Sequence, residues 1–383
     1  MHNLLKNDNM DVCCPWEKEA RAYTIENIYW SFISELVKAM VLLVFYFSAY
    51  SMNFVEYISQ LFNGNIYLVF FFYFLITYLG ERILDFYFNM KLSYLIEHKY
   101  GFSVETMGAW LKDQAKGLGV GFIIGLIVIA FLFKSFDLFG NWWWFPASMG
   151  MIVFAVILAN LFPIVLIPLF FKLTPIEDEE LKELLTNLNR KAGIKVKGFH
   201  SINLSSKTIK QNAMLAGLFN TKRVIISDTL LNESSRNEIE AVIAHELGHH
   251  KAKHMIKKIF FSSLHILLLF VLIDYFMKFF IPEFPNDFKK TLAGFPLFIV
   301  ISMILGVILK PVSLYISRFY ESKADELALE LCSDPSSLSL VLYKLAEKNK
   351  EWLSPPSWIV WFMYGHPPMK DRLKNCRNKE RNA

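Results

Sequence analysis

Residues 245–249 read His-Glu-Leu-Gly-His. On a helix, positions i and i+4 lie on one face, one turn apart. The rings of His245 and His249 can therefore bind one metal ion between them. Glu246 stands beside the first ring, where a carboxylate can act as a general base toward water at the metal. That is the pattern of helical zinc hydrolases. A helix is the right context here: Ser235 and Glu238 have the spacing of a capping box, and an apolar run leads into His245.

Catalytic zinc takes three protein ligands, so a third must come from elsewhere. His250 neighbours His249 and points off the shared face. His254 is about two and a half turns beyond His245 on a continuous helix, too far to join it. The stretch SRFYESKADELALEL, residues 317–331, offers carboxylates on a polar helix. Glu321 and Asp325 are spaced i, i+4 and face one way. One can bind zinc while the other accepts the free ring N–H of a ligand histidine. By spacing alone, Glu321 and Glu326 remain rival third ligands.

These residues sit in a chain built for lipid. Of 383 residues, 54% are hydrophobic, 36 are phenylalanine and only 20% are charged. Polytopic membrane proteins have this composition and soluble ones rarely do. The net charge of +5 is spread out, with no basic stretch interleaved with aromatics, which argues against nucleic-acid partners. The four cysteines, Cys13, Cys14, Cys332 and Cys376, lack CxxC spacing and read as reduced thiols. The polar N-terminus has no apolar core of a signal peptide.

Six runs are apolar enough to span a bilayer: 37–55, 66–80, 117–133, 141–171, 259–276 and 291–309. Pro163 and Pro168 are expected to kink the fourth. The segment 81–116 carries five Lys or Arg and 172–258 carries fifteen, whereas the loops after the first and third runs carry none and one. The positive-inside rule then places the N-terminus, the loop 81–116, the long polar segment and the C-terminus in the cytosol. The loop 277–290, with three, is the exception. Within 172–258 the pattern alternates between helix and strand. DEELKELLTNLNRKAG reads as a helix closed by Gly193, IKVKGFHSIN as a strand, and NAMLAGLF with KRVIISD as a hairpin turning at Asn220 and Thr221.

The expected organisation is mostly α, a multi-pass helical membrane protein with a small cytosolic α/β zinc-protease unit. Its parts are a cytosolic N-terminal segment 1–36, four membrane helices in 37–171, a protease unit 172–258, two further membrane helices in 259–309, and a C-terminal part 310–383.

HELGHHKAKH, then SRFYESKADELA, then GHPPMKDRL together resemble the type I CAAX prenyl proteases, polytopic zinc endopeptidases. LIEHKYGFSVETMGAWLKDQAKG and PSWIVWFMYGHPP add to the likeness, which covers about residues 16–373. The resemblance implies a chamber enclosed by the spans and one zinc per chain, held by His245, His249 and Glu321. It implies Glu246 as base and Asp325 behind a ligand histidine. Asn212, Ala213 and Met214 would lie on the strand that pairs with substrate, and His366 and Arg372 would face substrate across the zinc. The implied substrates are membrane-associated peptides or proteins, lipidated ones included, in a bacterial inner membrane or the endoplasmic reticulum, with the zinc on the cytosolic side. The alternatives are a membrane quality-control protease and an inactive scaffold of the same fold, against which the intact Glu246 speaks. The chain departs from the pattern in three places. It has six spans where a seventh would come first, Met214 stands where an aromatic is usual, and only LNESS precedes the zinc helix.

Overall fold

The computed structural model describes residues 14–217 and 222–380. Cys13 and the expected turn at Asn220 and Thr221 lie outside the described residues. Among those described, six helices are long and apolar enough to cross a membrane. They are α1 (Glu17–Phe47), α2 (Ile66–Lys99), α3 (Met107–Trp142), α4 (Trp144–Phe170), α7 (His254–Phe280) and α8 (Phe295–Leu331). The shorter helices between α4 and α7 include α5 (Glu179–Ala192) and α6 (Arg236–Lys251), with a six-residue helix Asp228–Glu233 just before α6.

The number of spans is as expected, but two boundaries are not. The first run was placed at 37–55, yet α1 starts at Glu17 and stops at Phe47. Its opening turns mix Glu and Lys with Tyr and Trp, which hides the helix from a hydropathy average. Its end is set by Ala49, held at φ 61°, after which a separate helix runs from Tyr50 to Leu61. At the sixth run, the polar helix expected after the span is the span itself. The 37 residues of α8 continue through Pro311 to Leu331 and carry Glu321 and Asp325. Around Pro163 the winding changes, with Phe162–Leu166 forming a π-helix before the α-helix resumes at Ile167 with Pro168 inside it.

The spans pack in a cycle: α1 on α2, α2 on α3, α3 on α4, α4 on α7, α7 on α8, and α8 back on α1. Cavities of about 460 and 550 Å³ open among the spans, so the ring is not packed solid and holds chamber space. Its two ends differ. At one end the turns between spans tie together. Ser51 Oγ donates to Ala293 O at 2.7 Å, and Lys278 Nζ donates to Asn141 O. Two of the three basic residues in 277–290 are paired there, Lys278 with Asp274 and Lys290 with Glu283.

The other end carries the polar layer. Strands β1 (Leu173–Pro175), β2 (Phe199–Ile202), β3 (Ala213–Ala216) and β4 (Arg223–Ser227) form a sheet of order β1-β2-β4-β3 among the described residues. The loop after α2 joins this layer through a bridge from Ser103 to Thr208. Helix α5 begins where Asp178 Oδ1 accepts Leu181 N–H at 2.9 Å and ends at Gly193, φ 73°. Its Leu181, Leu185, Leu188 and Ala192 stripe enters a core shared with α6, β4, the end of α8, and Trp16 and Ala20 at the start of α1. Helix α6 starts from the expected capping box, with Ser235 N–H donating to Glu238 Oε2 at 2.7 Å.

The closest approach in this layer is between α6 and α8. A Cβ built on Gly248 would lie 2.9 Å from Ala324 O and 3.2 Å from Leu327 Cβ. Gly306, elsewhere on α8, has nothing within 4 Å of the same position. Alanine at Gly306 should therefore be neutral or stabilising by up to ~1 kcal/mol, as helix propensity dictates. Alanine at Gly248 should destabilise by about 1–3 kcal/mol because rigid backbone must move. Thermal unfolding of the two variants in detergent compares them directly, and equal melting temperatures would remove the close-crossing argument.

Candidate active site

The site forms where α6 crosses α8. Helix α6 presents His245, Glu246 and His249, and α8 presents Glu321 and Asp325. His245 Nε2 lies 3.2 Å from His249 Nε2 and 3.2 Å from Glu321 Oε2, and His249 Nε2 lies 3.3 Å from Glu321 Oε1. These three residues converge as a group able to hold a metal ion. The surroundings fit a cation. Glu321 is 4% exposed, and its Oε2 is buried without a well-directed hydrogen bond. Burial opposes charge on His245, yet the Asp325 and Glu321 carboxylates outweigh it and push the ring up to about 9. The cluster is built to stabilise positive charge at the imidazole nitrogens.

Of the two rival acids, Glu321 faces the histidines and Glu326 does not. Glu326 points away and pairs with Lys323 at 2.6 Å and Lys379 at 3.2 Å. Asp325 lies behind the site, its Oδ1 2.8 Å from His245 Nδ1. Arg372 is where the structure departs from expectation. Its Nε donates to Asp325 Oδ2 at 2.9 Å and its Nη2 to Asp325 Oδ1 at 2.7 Å. The guanidinium is 7% exposed and spends its fork on Asp325 rather than turning it outward. An arginine cannot be left unpaired inside a core, and Asp325 is its nearest carboxylate. His366 is exposed at the site's edge, with Nδ1 2.9 Å from Glu321 Oε2.

Glu246 is half-buried and turned toward β3, where Leu215 N lies 3.4 Å from its Oε2. Strand β3 is the edge of its sheet. Asn212 turns its backbone inward, its N–H donating to Ser227 Oγ and its carbonyl accepting from Ser227 N. By the alternation of antiparallel pairing, Ala213 and Leu215 turn their backbone groups to the free edge. Asn212 and Ala213 border a side cavity with His366, Arg372 and, unforeseen from sequence, Gln211 and Glu351. Met214 faces the other side, packed near Ile202 and Ile225. A larger cavity of about 460 Å³ opens from the metal ligands between α4 and α7, past Ile152, Val156, Met255 and Ser262. The site thus faces the chamber.

Two further histidines lie near the site, and the second departs from the sequence reading. His250 lines this cavity, and burial, reinforced by Lys222, holds its ring down to about 4. His254 is not too far away. Helix α6 stops at Lys251, Lys253 adopts φ 56°, and α7 begins at His254 in a new direction. The turn returns the His254 ring to within 3.1 Å of His249 Nδ1. Lys-Ala-Lys carries no glycine or proline to announce that break.

Known proteins share this plan. The sequence model of peptidase family M48 matches residues 175–380, and one described as CAAX prenyl protease N-terminal, five membrane helices, matches residues 17–172. CAAX prenyl protease 1 of Saccharomyces cerevisiae is 29% identical over 307 residues, covering 74% of this chain and 68% of that protein. The uncharacterized metalloprotease YhfN of Bacillus subtilis is 27% identical over 296 residues, covering 76% and 69%. The crystal structure of Ste24p from S. mikatae superposes with a TM-score of 0.83 at 25% identity, covering 98% of this chain and 93% of that one. The two sequence models divide the chain where its structure divides, at the passage from the spans to the polar layer. Sequence models, fold and membrane-spanning helices therefore agree: the chain belongs to peptidase family M48 and is a multi-pass membrane metalloprotease.

Proposed function

We propose that this protein is a zinc endopeptidase that cuts membrane-associated peptides, CAAX-type prenylated C-termini among them, from the cytosolic side of its membrane. The observation that carries this reading is the convergence of three ligand atoms, one from each of His245, His249 and Glu321, within 4.8 Å of one another. Zinc bound to nitrogen or oxygen at ~2.0 Å in a tetrahedron has donor-to-donor edges of ~3.3 Å. The two Nε2 atoms are 3.2 Å apart, and each faces one oxygen of the Glu321 carboxylate, at 3.2 and 3.3 Å. His245, His249 and Glu321 would hold the ion, which supplies a Lewis acid that acidifies water and polarises a carbonyl.

The remaining chemistry belongs to the chain. A peptide added along the outer side of β3 exchanges backbone hydrogen bonds with Ala213 and takes over the Leu215 N–H, which releases Glu246 toward water. That fixes its carbonyl next to Glu246. The Glu246 carboxylate takes the proton of the attacking water and hands it to the leaving amine. Arg372 holds Asp325, and Asp325 holds His245. His366 stands at the open side of the site, placed to donate to the oxygen on which charge develops.

Glu246→Gln separates enzyme from scaffold. Glutamine keeps shape and helix but accepts no proton. The variant should retain one zinc per chain and its thermal stability, while peptide turnover falls at least ~100-fold. Wild-type turnover with zinc bound would overturn the base assignment. For the ligands, Glu321→Ala should strip zinc from purified protein and Glu326→Ala should not, as read by metal analysis. The reverse result would move the third ligand.

Orientation rests on the loop charges and on the grouping of the Lys-rich loops with the polar layer. Single cysteines at Lys112 and Lys370 should react with an impermeant reagent only from the cytosolic face, and cysteines at Asn63 and Asn141 only from the opposite face. Labelling of Asn63 and Lys112 from the same face would break the topology.

A further inference from the structure

We propose that His254 is a positioning residue for the metal centre: it accepts the Nδ1–H of His249, which fixes that ring's tautomer and aims its Nε2 at the metal. The inference rests on the reading of His249 as a ligand. A metal-bound histidine needs a partner for its other ring nitrogen, and that partner sets both tautomer and orientation. His245 has Asp325. The partner of His249 Nδ1 among the described residues is His254 Nδ1, at 3.1 Å.

Two imidazole nitrogens at that distance cannot both be donors. His249 Nε2 faces His245 and Glu321, so its lone pair belongs on that side and its proton on Nδ1. His254 Nδ1 is then the acceptor, and the His254 proton sits on Nε2. The structure takes trouble to put the ring there. Lys253 occupies the left-handed region, φ 56°, which lets α7 start at an angle to α6. His254 is 3% exposed, and its ring stacks on Tyr320 with centroids 4.4 Å apart and planes 14° from parallel. Tyr320 is itself 5% exposed and immediately precedes Glu321. The acceptor for one ligand is thus clamped by the residue beside another. Nothing in the hydrolytic steps uses His254, so a packing role alone would leave a polar ring where phenylalanine would serve.

The test compares two substitutions. His254→Phe keeps a ring to stack on Tyr320 and removes the acceptor. His254→Asn loses the ring but places an amide oxygen near the former Nδ1. Zinc affinity, measured by chelator competition alongside the melting temperature of each apo-protein, is the readout. His254→Phe should bind zinc about 10–100-fold more weakly, and His254→Asn should recover most of that loss. Wild-type affinity in His254→Phe overturns the inference, as does an Asn variant as weak as Phe when both apo-proteins melt like the wild type. Should His254→Phe not fold, zinc-loaded wild type with ¹⁵N-labelled histidine decides. A scalar coupling between the two Nδ1 atoms arises only across an N–H···N bond joining the rings. Its presence supports the assignment and its absence rejects it. A wild type that binds no zinc sinks the zinc reading itself, and this inference with it. A wild type that binds zinc while His254→Phe binds it equally well sinks this inference alone.

Discussion

Glu321 and Asp325 are two carboxylates buried one helical turn apart, 4% and 5% exposed, on a helix that has just left the apolar part of the molecule. Buried charge of this kind persists only where it is paired and hydrogen-bonded. Much of the polar layer can be understood as that compensation. Arg372, from the C-terminal helix Met369–Glu380, closes on Asp325. His245 bridges the two acids, and His249 and His366 approach Glu321 from either side. The imidazoles can reach the carboxylates only if α6 comes very near α8, and Gly248 is the residue that permits it. The spacing of the histidines and the missing side chain three residues after the first are one requirement.

The same crossing explains how a hydrolase operates among apolar spans. Peptide cleavage consumes water, which hydrocarbon excludes, and ionisable groups are tolerated at membrane depth only where they line a wet space or are paired. Here the spans form a ring around a chamber instead of a solid bundle, and the catalytic groups stand at its polar end. Because α8 is unbroken from Phe295 to Leu331, Glu321 is rigidly continuous with a wall of the chamber. His245 and His249 stand on α6, anchored in the core of the polar layer. The site is thus the joint between chamber and protease layer, and it closes only when both are in place.

Most of the chemistry was legible in the sequence because it is periodic. Residues i and i+4 share a helix face wherever the helix lies, so His245 with His249 and Glu321 with Asp325 could be paired without coordinates. The hydropathy windows were legible for the same reason of local regularity, and six spans were found. What escaped depended on chain direction. Glu326 could be set aside only once α8 had a rotational setting against α6. The extent of α1 was hidden by its polar first turns. His254 was misjudged because a left-handed Lys253 has no sequence mark. Arg372 looked free to meet substrate because nothing local announces a partner 47 residues away.

On the proposed mechanism, edge strand and chamber together restrict what can be cut. A free strand edge is a hazard, since any exposed chain can pair with it. Here β3 has its open side next to Glu246 and beside a cavity of about 460 Å³. A folded domain does not fit such a space, whereas an extended peptide of a few residues does. Recognition through backbone hydrogen bonds asks little of side chains, so selection falls on access. A chain must arrive extended and must pass between spans or under the polar layer to reach the edge. Membrane-tethered or C-terminal segments meet both conditions at low entropic cost, because the bilayer already holds one end near the ring.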